Sequence, residues 1–563
     1  MSKRTVLLML AALVLVSVAI RYPLVEHERF QTDSYFIHGL ADAIIDDGYA
    51  KWTVHSLSYF GFYPLSYASG VPFVLSELST MTGLSVETCI LLMDMSMAFL
   101  FCLTVFCLAR EFVGRSELTL LAAFFAIVAP RFVDTTYWNG SARGTEVVLI
   151  TLFVFVCFRA SSTNHEYLWL VGGFLVFACF ATHRMSVILV LYGVAFVLAT
   201  LGYQYIVRLH KFRLDTRTNR IGAKRRLVVA ALLILGTGIM LSTLAYFDLL
   251  GLSVKLSFGV SKHIDVDSPV ATAILNASVA YTHQIGFILP VAFLGIVTVF
   301  RRSYLTMKSL FLVTILLSFV PVIGSSLYVS MLMAPFVSVL GVVWIDGAVR
   351  SRRRRTYAMI FVLFLIVGSA VLPVWSVQRW TALQLTADDT MVVDSRLFND
   401  GNYLNACGGD EYAISNQERL YFELQSMSDI RFLKSGIRSA INGDVTGDSL
   451  REAVERSEVE FPNNVYSWFK LDFATEYFIE FFLSSLMDSG SIAANSTTYH
   501  EYASDHSHLY VVVDNRHPTT YTYIFGTRPN APFLQQIQDA TVIPSYMVYQ
   551  SQLISVYVVQ LLA

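Results

Sequence analysis

Apolar runs long enough to cross about 30 Å of hydrocarbon recur eleven times up to residue 376. They lie near 5–24, 87–109, 117–133, 144–158, 167–182, 185–207, 227–247, 284–300, 309–326, 328–346 and 356–376. After residue 376 the pattern changes. EYAIS, HLYVVVD, TYTYIFG and LISVYVVQL read as strands, while SLREAVERSEV and WFKLDFATEYFIEFFLSSLM read as helices. The pattern predicts a polytopic α-helical membrane protein with about 11 transmembrane helices in 1–376, and a mixed α/β domain in 377–563. The first run follows Lys3 and Arg4 as in a signal peptide, but IRYPLVEHERF offers no small-residue cleavage site, so it reads as an anchor.

Composition agrees with this pattern. The 563 residues are 55% hydrophobic and only 15% charged, with a mean hydropathy of +0.56, which excludes an ordinary soluble globular protein. A net charge of -2 gives no basis for nucleic-acid binding. With the amino terminus inside, the inner segments carry 21 Lys and Arg and the outer segments before 377 carry 8. That bias predicts an inside amino terminus and an external C-terminal domain. The domain has 23 acids against 11 bases; it holds one of the six cysteines, Cys407, so no internal disulfide is expected.

The position of charge relative to the spans separates two classes of function. A transporter or channel places ionisable groups at mid-membrane. Here the spans are nearly clean, with Asp94 the main exception. The other candidates sit at outer span ends: Asp33, Asp134, Arg143, Glu146, His183 and Arg184. Lys262, His263, Asp265, Asp267 and His283 fall in a longer outer loop. This layout suits chemistry at the outer water–lipid interface.

The first outer loop, 25–86, opens with RFQTDSYFIHGLADAIIDDGYAKW. Phe36, Ile37, Leu40 and Ile44 recur at helical spacing, His38, Asp42 and Asp46 share another face, and Gly48 is a stop signal. An amphipathic surface helix accounts for Asp42, Asp46 and Asp47 as a solvated stripe. Asp33 just precedes it and has two readings, an N-cap or a catalytic carboxylate at the membrane face.

The first span, TDSYFIH, the acidic turn IIDDGYAKW and the segment FYPLSYASGVPFVLSELSTMTGLSVE leading into the second span together resemble the GT-C superfamily, polytopic glycosyltransferases that use polyprenyl-phosphate-linked sugars. Relatives of the oligosaccharyltransferase catalytic subunit are included. The resemblance covers about residues 1–185, and the many-spans-then-external-domain architecture of the whole chain. It implies that Asp33 is catalytic or holds a metal. It also implies that APRFVDTTYWNGSARGTEVV supplies further acidic site residues, for which Asp134 and Glu146 are available. Two departures stand out. Arg143 occupies about the position of an acidic ligand, and the external domain lacks the Trp-Trp-Asp-Tyr-Gly motif of oligosaccharyltransferases. Metal dependence is therefore open, with a divalent cation, Mg or Mn, as the cofactor to test.

Attack on a sugar held by a lipid phosphate needs a base for the acceptor hydroxyl and cations for the leaving phosphate. Asp33 fits the first need. Arg143 and Arg184 fit the second through bidentate guanidinium contacts, with interfacial anchoring as their alternative. His183, in the outer turn THRMS, either orients the donor phosphate or is a helix-end histidine meeting water; Lys262 is a weaker cation candidate. The electrostatic expectation is that Asp33, Arg143 and Arg184 line one outward-facing cavity. Tyr22, Trp138 and Trp375 read as an interfacial belt. Asn139, Asn276 and Asn495 lie in N-x-S/T triplets on the outer side, and no P-loop, dinucleotide fingerprint or Cys/His cluster occurs. The reading is an integral membrane glycosyltransferase acting at the external face of the cell membrane. Its donor is a polyprenyl-phosphate-linked sugar, its acceptor a glycan, lipid or protein, and its surroundings membrane lipids. Two alternatives stand beside it, an oligosaccharyltransferase-like enzyme acting on protein, and a non-catalytic envelope protein or transporter.

Overall fold

The computed structural model describes residues 2–23, 32–48, 70–163, 165–183, 186, 188–211, 281–300, 305–318, 326–350, 355–386, 395–406, 412–415, 420, 423–424, 426–428, 431–432, 508–515, 520–523, 526–529 and 545–560. The chain forms two compact units. One comprises Met1–Tyr22, Asp94–Tyr137 and Ala142–Trp380, the other Pro23–Met93, Trp138–Ser141 and Thr381–Ala563.

The first unit is helical. Its elements are α1 (Lys3–Arg21), most of α4 (Val86–Arg110), α5 (Ser116–Ile127), α6 (Pro130–Thr135), α7 (Ala142–Ser162), α8 (Tyr167–Thr182), α9 (Ile188–Lys211), α10 (Ile288–Val299), α11 (Met307–Ser318), α12 (Ser326–Val349) and most of α13 (Arg355–Thr386). Among the described residues, six helices are long and apolar enough to cross a membrane and four shorter ones are apolar. The expected run 227–247 lies outside the described residues. The run 117–133 differs from expectation, because α5 stops at Ile127 and Pro130 opens the separate α6. Proline has no N–H to continue a helix but fits its first turn. α13 continues to Thr386, ten residues past the expected end of its run at 376.

α12 is the hub of this unit, packing against α5, α6, α7, α10 and α11. Gly295 of α10 lets the two backbones meet: a Cβ there would lie 2.1 Å from the carbonyl oxygen of Leu340. Small residues at such crossings are the usual means of close helix packing in lipid. The peripheral helices do the opposite and turn Leu7, Leu15, Trp169, Phe174, Phe177 and Phe364 outward, as lipid-facing side chains do.

Charge gathers at one end of the bundle. Glu111 pairs with Lys308 and, at 3.6 Å, with Arg159, while Asp346 meets Arg350 at 2.7 Å and Arg115 at 3.7 Å. These contacts join the end of α4, the start of α5, the end of α7, the start of α11 and the end of α12. Away from this end, Arg21 closes α1 completely buried. Its Nε donates to Thr136 Oγ1 at 2.7 Å, Nη1 to Ser17 O at 2.9 Å, and Nη2 to Ile127 O at 3.3 Å. Its guanidinium lies over the Phe132 ring and within electrostatic reach of Asp94. The one acid singled out at mid-membrane therefore has a buried guanidinium within electrostatic reach.

In the second unit, α2 (Thr32–Asp47) packs on α3 (Gly70–Thr82). Tyr35, Ile37, Leu40 and Ala41 are buried, His38 contacts Asp42 at 3.1 Å, and Gly48 ends the helix at φ +70, where a side chain is disfavoured. The strand readings correspond to β1 (Tyr412–Ser415), β3 (His508–Asp514), β4 (Thr520–Tyr523) and β7 (Ile554–Gln560). β2 (Arg431–Phe432), β5 (Gly526–Pro529), β6 (Ser545–Gln550) and α14 (Ser395–Ala406) complete the described elements. The main sheet has the order β2-β1-β3-β7-β6, with β1 parallel to both neighbours and β7 antiparallel to both of its own. Both helix readings of this region, SLREAVERSEV and WFKLDFATEYFIEFFLSSLM, lie outside the described residues, as do Cys407 and the triplets at Asn276 and Asn495.

Candidate functional site

Asp33 is not the residue before the helix. α2 begins at Thr32, so Asp33 sits in its first turn, one turn earlier than the apolar spacing alone indicates. Carboxylates in a first helical turn are favoured by the helix dipole. The adjacent Ser34 is fully buried, and its Oγ accepts the Gly140 N–H at 2.7 Å. A Cβ on Gly140 would come within 3.1 Å of that same oxygen, so glycine lets the two segments meet without displacing it.

The partner of this contact is the turn Trp138–Ser141, in the same unit. Trp138 adopts φ 48, an uncommon conformation for a bulky residue, and its Nε1 donates to Glu87 O at 3.0 Å. Such strain persists only where the surroundings fix it. Here they do so by burial, because Trp138 is 8% exposed and Asn139 is 0% exposed. Two sequence readings change as a result. Trp138 is a packed turn residue and not a belt side chain, and the Asn139 triplet is closed to modification in the folded chain. Nothing in NGS distinguishes a buried turn from an exposed sequon, since both use the same small and polar residues.

The other span-end candidates lie in the helical unit. Asp134 is the fifth residue of α6, and its Oδ2 accepts from Arg131 Nη1 at 2.5 Å. Arg131 was not singled out in the sequence, although i,i+3 opposite charges after a helix-opening Pro130 were a readable signal. Arg143 is the second residue of α7 and is half-buried. Glu146, one turn later, is 1% exposed and accepts from Ser186 Oγ at 2.7 Å. His183 is the C-cap of α8, extended at φ -158, and its N–H donates to Cys179 O at 3.0 Å. His283 is exposed in the helical turn before α10. Arg184 and Lys262, with His263, Asp265 and Asp267, lie outside the described residues. The structure thus brings Glu146 and His183 to one turn, through Ser186, and pairs Asp134 with Arg131. Asp33 stands in the other unit.

Among the described residues, no three His, Cys, Asp or Glu side chains converge as a cation site. Asp134 and Glu146 are each already engaged, the first by a guanidinium and the second by a buried hydroxyl.

No protein-family model and no curated protein matches the chain. Solved structures do match in fold. The archaeal oligosaccharyltransferase AglB from Archaeoglobus fulgidus, in complex with an inhibitory peptide and a dolichol-phosphate, aligns with a TM-score of 0.55 at 11% identity, over 92% of this chain and 70% of its own. An Archaeoglobus fulgidus oligosaccharyltransferase in complex with Zn and sulfate aligns with a TM-score of 0.53 at 11% identity, over 91% of this chain and 68% of its own. ArnT from Cupriavidus metallidurans covers 99% of this chain and 98% of its own at 11% identity, with a TM-score of 0.49. At this identity the likeness is one of fold: the chain shares the polytopic helical fold of the Archaeoglobus fulgidus structures.

Proposed function

We propose that this protein is an integral membrane glycosyltransferase that moves a sugar from a polyprenyl-phosphate-linked donor to a glycan, lipid or protein acceptor at the external face of the membrane. The observation that carries this reading is the fold shared over 92% of the chain with an enzyme whose structure holds a dolichol-phosphate.

The roles follow from the chemistry of the residues. Asp33 is the base: as the acceptor oxygen attacks the anomeric carbon, its proton passes to the Asp33 carboxylate and the bond from that carbon to phosphate oxygen breaks. The electron pair leaves on the polyprenyl phosphate, whose charge Arg143 and Arg184 stabilise through paired N–H donors. One displacement at carbon gives inversion. His183 orients the donor phosphate from the end of α8. Asp134 is held by Arg131, and its part is to keep that cation in place near the start of α7. A divalent cation, if one is used, would supply further charge for the leaving phosphate.

An oligosaccharyltransferase activity on protein is the second reading. It draws on the same fold likeness, whereas the absence of the Trp-Trp-Asp-Tyr-Gly motif favours a different acceptor.

The test incubates membranes containing the protein with a panel of labelled polyprenyl-phosphate sugars, with and without Mg or Mn, and with a sequon peptide as one acceptor. The wild type should transfer from at least one donor. Asp33→Asn should abolish turnover while donor binding is retained, and Arg143→Ala should weaken donor binding. No transfer from any donor would remove the enzyme reading.

A further inference from the structure

Glu146 is enclosed where α7, α8 and α9 meet. Its side chain is 1% exposed, Cys179 and Tyr192 lie within electrostatic reach, and Oε1 receives its hydrogen bond from Ser186. Ser186 is itself held to the turn by its main-chain N–H, which donates to the His183 carbonyl oxygen at 3.1 Å. Glu146 Oε2 has no hydrogen-bond partner among the described residues. A carboxylate that binds a cation or takes a proton from an acceptor needs an oxygen open to water or substrate. Among the described residues, its hydrogen-bonded link to the turn after α8 is Ser186. Enclosing a carboxyl with one oxygen unsatisfied is costly, so the contact it does make is what the position retains.

We infer that Glu146 is a positioning residue. Through Ser186 it fixes the main chain at His183, between the end of α8 at Thr182 and the start of α9 at Ile188, and it is neither a metal ligand nor a base. The link to sugar transfer rests on the proposed role of His183; the link to the turn does not.

The experiment has two arms and three variants. Glu146→Gln keeps the size of the side chain and a group that can bond Ser186, whereas Glu146→Ala and the milder Ser186→Ala each break the connection. The first arm introduces His183→Cys into the parent and each variant, in lipid nanodiscs, and follows maleimide labelling at that peptide by mass spectrometry. Glu146→Gln should label within about twofold of the parent, and the two alanine variants about tenfold faster, as expected for loss of one buried hydrogen bond that holds a turn closed. The second arm measures transfer with His183 restored. Both alanine variants should raise the KM for donor about tenfold with kcat within about threefold, and Glu146→Gln should match wild type.

Equal labelling in all variants would overturn the inference, as would loss of turnover in Glu146→Gln. If the wild type uses no donor, the glycosyltransferase reading fails, and the labelling arm still decides the structural role of Glu146.

Discussion

Arg21 is among the largest fully buried side chains described. It is fully buried, and its donors are spent on Ser17, Thr136 and Ile127, with Asp94 as counter-charge. Removing one member of a buried pair leaves the other charge uncompensated, at a cost of about 3–5 kcal/mol. Arg21→Met should therefore lower the thermal midpoint in detergent strongly. Arg21→Met with Asp94→Asn should recover part of the loss; no recovery would mean that the two charges are not coupled. Ser34→Ala is the corresponding change in the other unit. It orphans the buried Gly140 N–H, and should cost about 1–3 kcal/mol, read as earlier unfolding and as faster proteolysis in the Trp138–Ser141 turn.

At the scale of elements, glycine position decides how closely helices approach. Gly295→Ala would put a Cβ 2.1 Å from a backbone oxygen that cannot swing aside, so α10 and α12 must separate, at a cost of about 1–3 kcal/mol. Gly173 in α8 is exposed and has nothing within 4 Å of its would-be Cβ. Gly173→Ala should be neutral or slightly stabilising, through helix propensity alone. Thermal unfolding of the pair in one detergent separates packing from propensity. In the sheet, α14 is tied to β6 by Tyr549, whose hydroxyl donates to buried Asp400 Oδ1 at 2.8 Å and whose ring stacks on Tyr403 at 4.0 Å. Burial, and then Asp400, push the Tyr549 hydroxyl from 10.0 up to about 12. A pKa raised by folding stabilises fully below the unfolded value and is lost as pH climbs through the folded one. The α14–β6 contact should accordingly weaken between pH 10.0 and about 12, and tyrosinate difference titration of wild type against Tyr549→Phe checks it.

For the whole molecule, the testable quantity is sidedness. The ion pairs of Glu111 and Asp346 gather the ends that the basic-residue bias assigns to the inside. Exposed Ser161, at the end of α7, should then be an inner site and exposed Asn402 of α14 an outer one. Asn402→Cys should add labelling by an impermeant reagent in intact cells, and Ser161→Cys only after permeabilisation. The reverse result would invert the topology, and equal labelling before and after lysis at both would remove it.

The sequence by itself determined where most of the described helices and several strands run, because burial in lipid demands long apolar runs and a half-buried strand demands alternation. It also made Asp33, Arg143, Glu146 and His183 visible, since ionisable residues beside clean spans stand out against their background. Pairing was decided only by the tertiary structure. Arg21 finds Thr136 across 115 residues, Ser34 finds Gly140 across 106, and Glu146 finds Ser186 across 40. Each contact satisfies a polar group that burial would otherwise leave unpaired, and which group is buried depends on neighbours that no local pattern names. The same cause separates two chemically similar carboxylates. Asp134 is held at a partly exposed helix end by a guanidinium, while Glu146 is buried and, among the described residues, is hydrogen-bonded by a single hydroxyl.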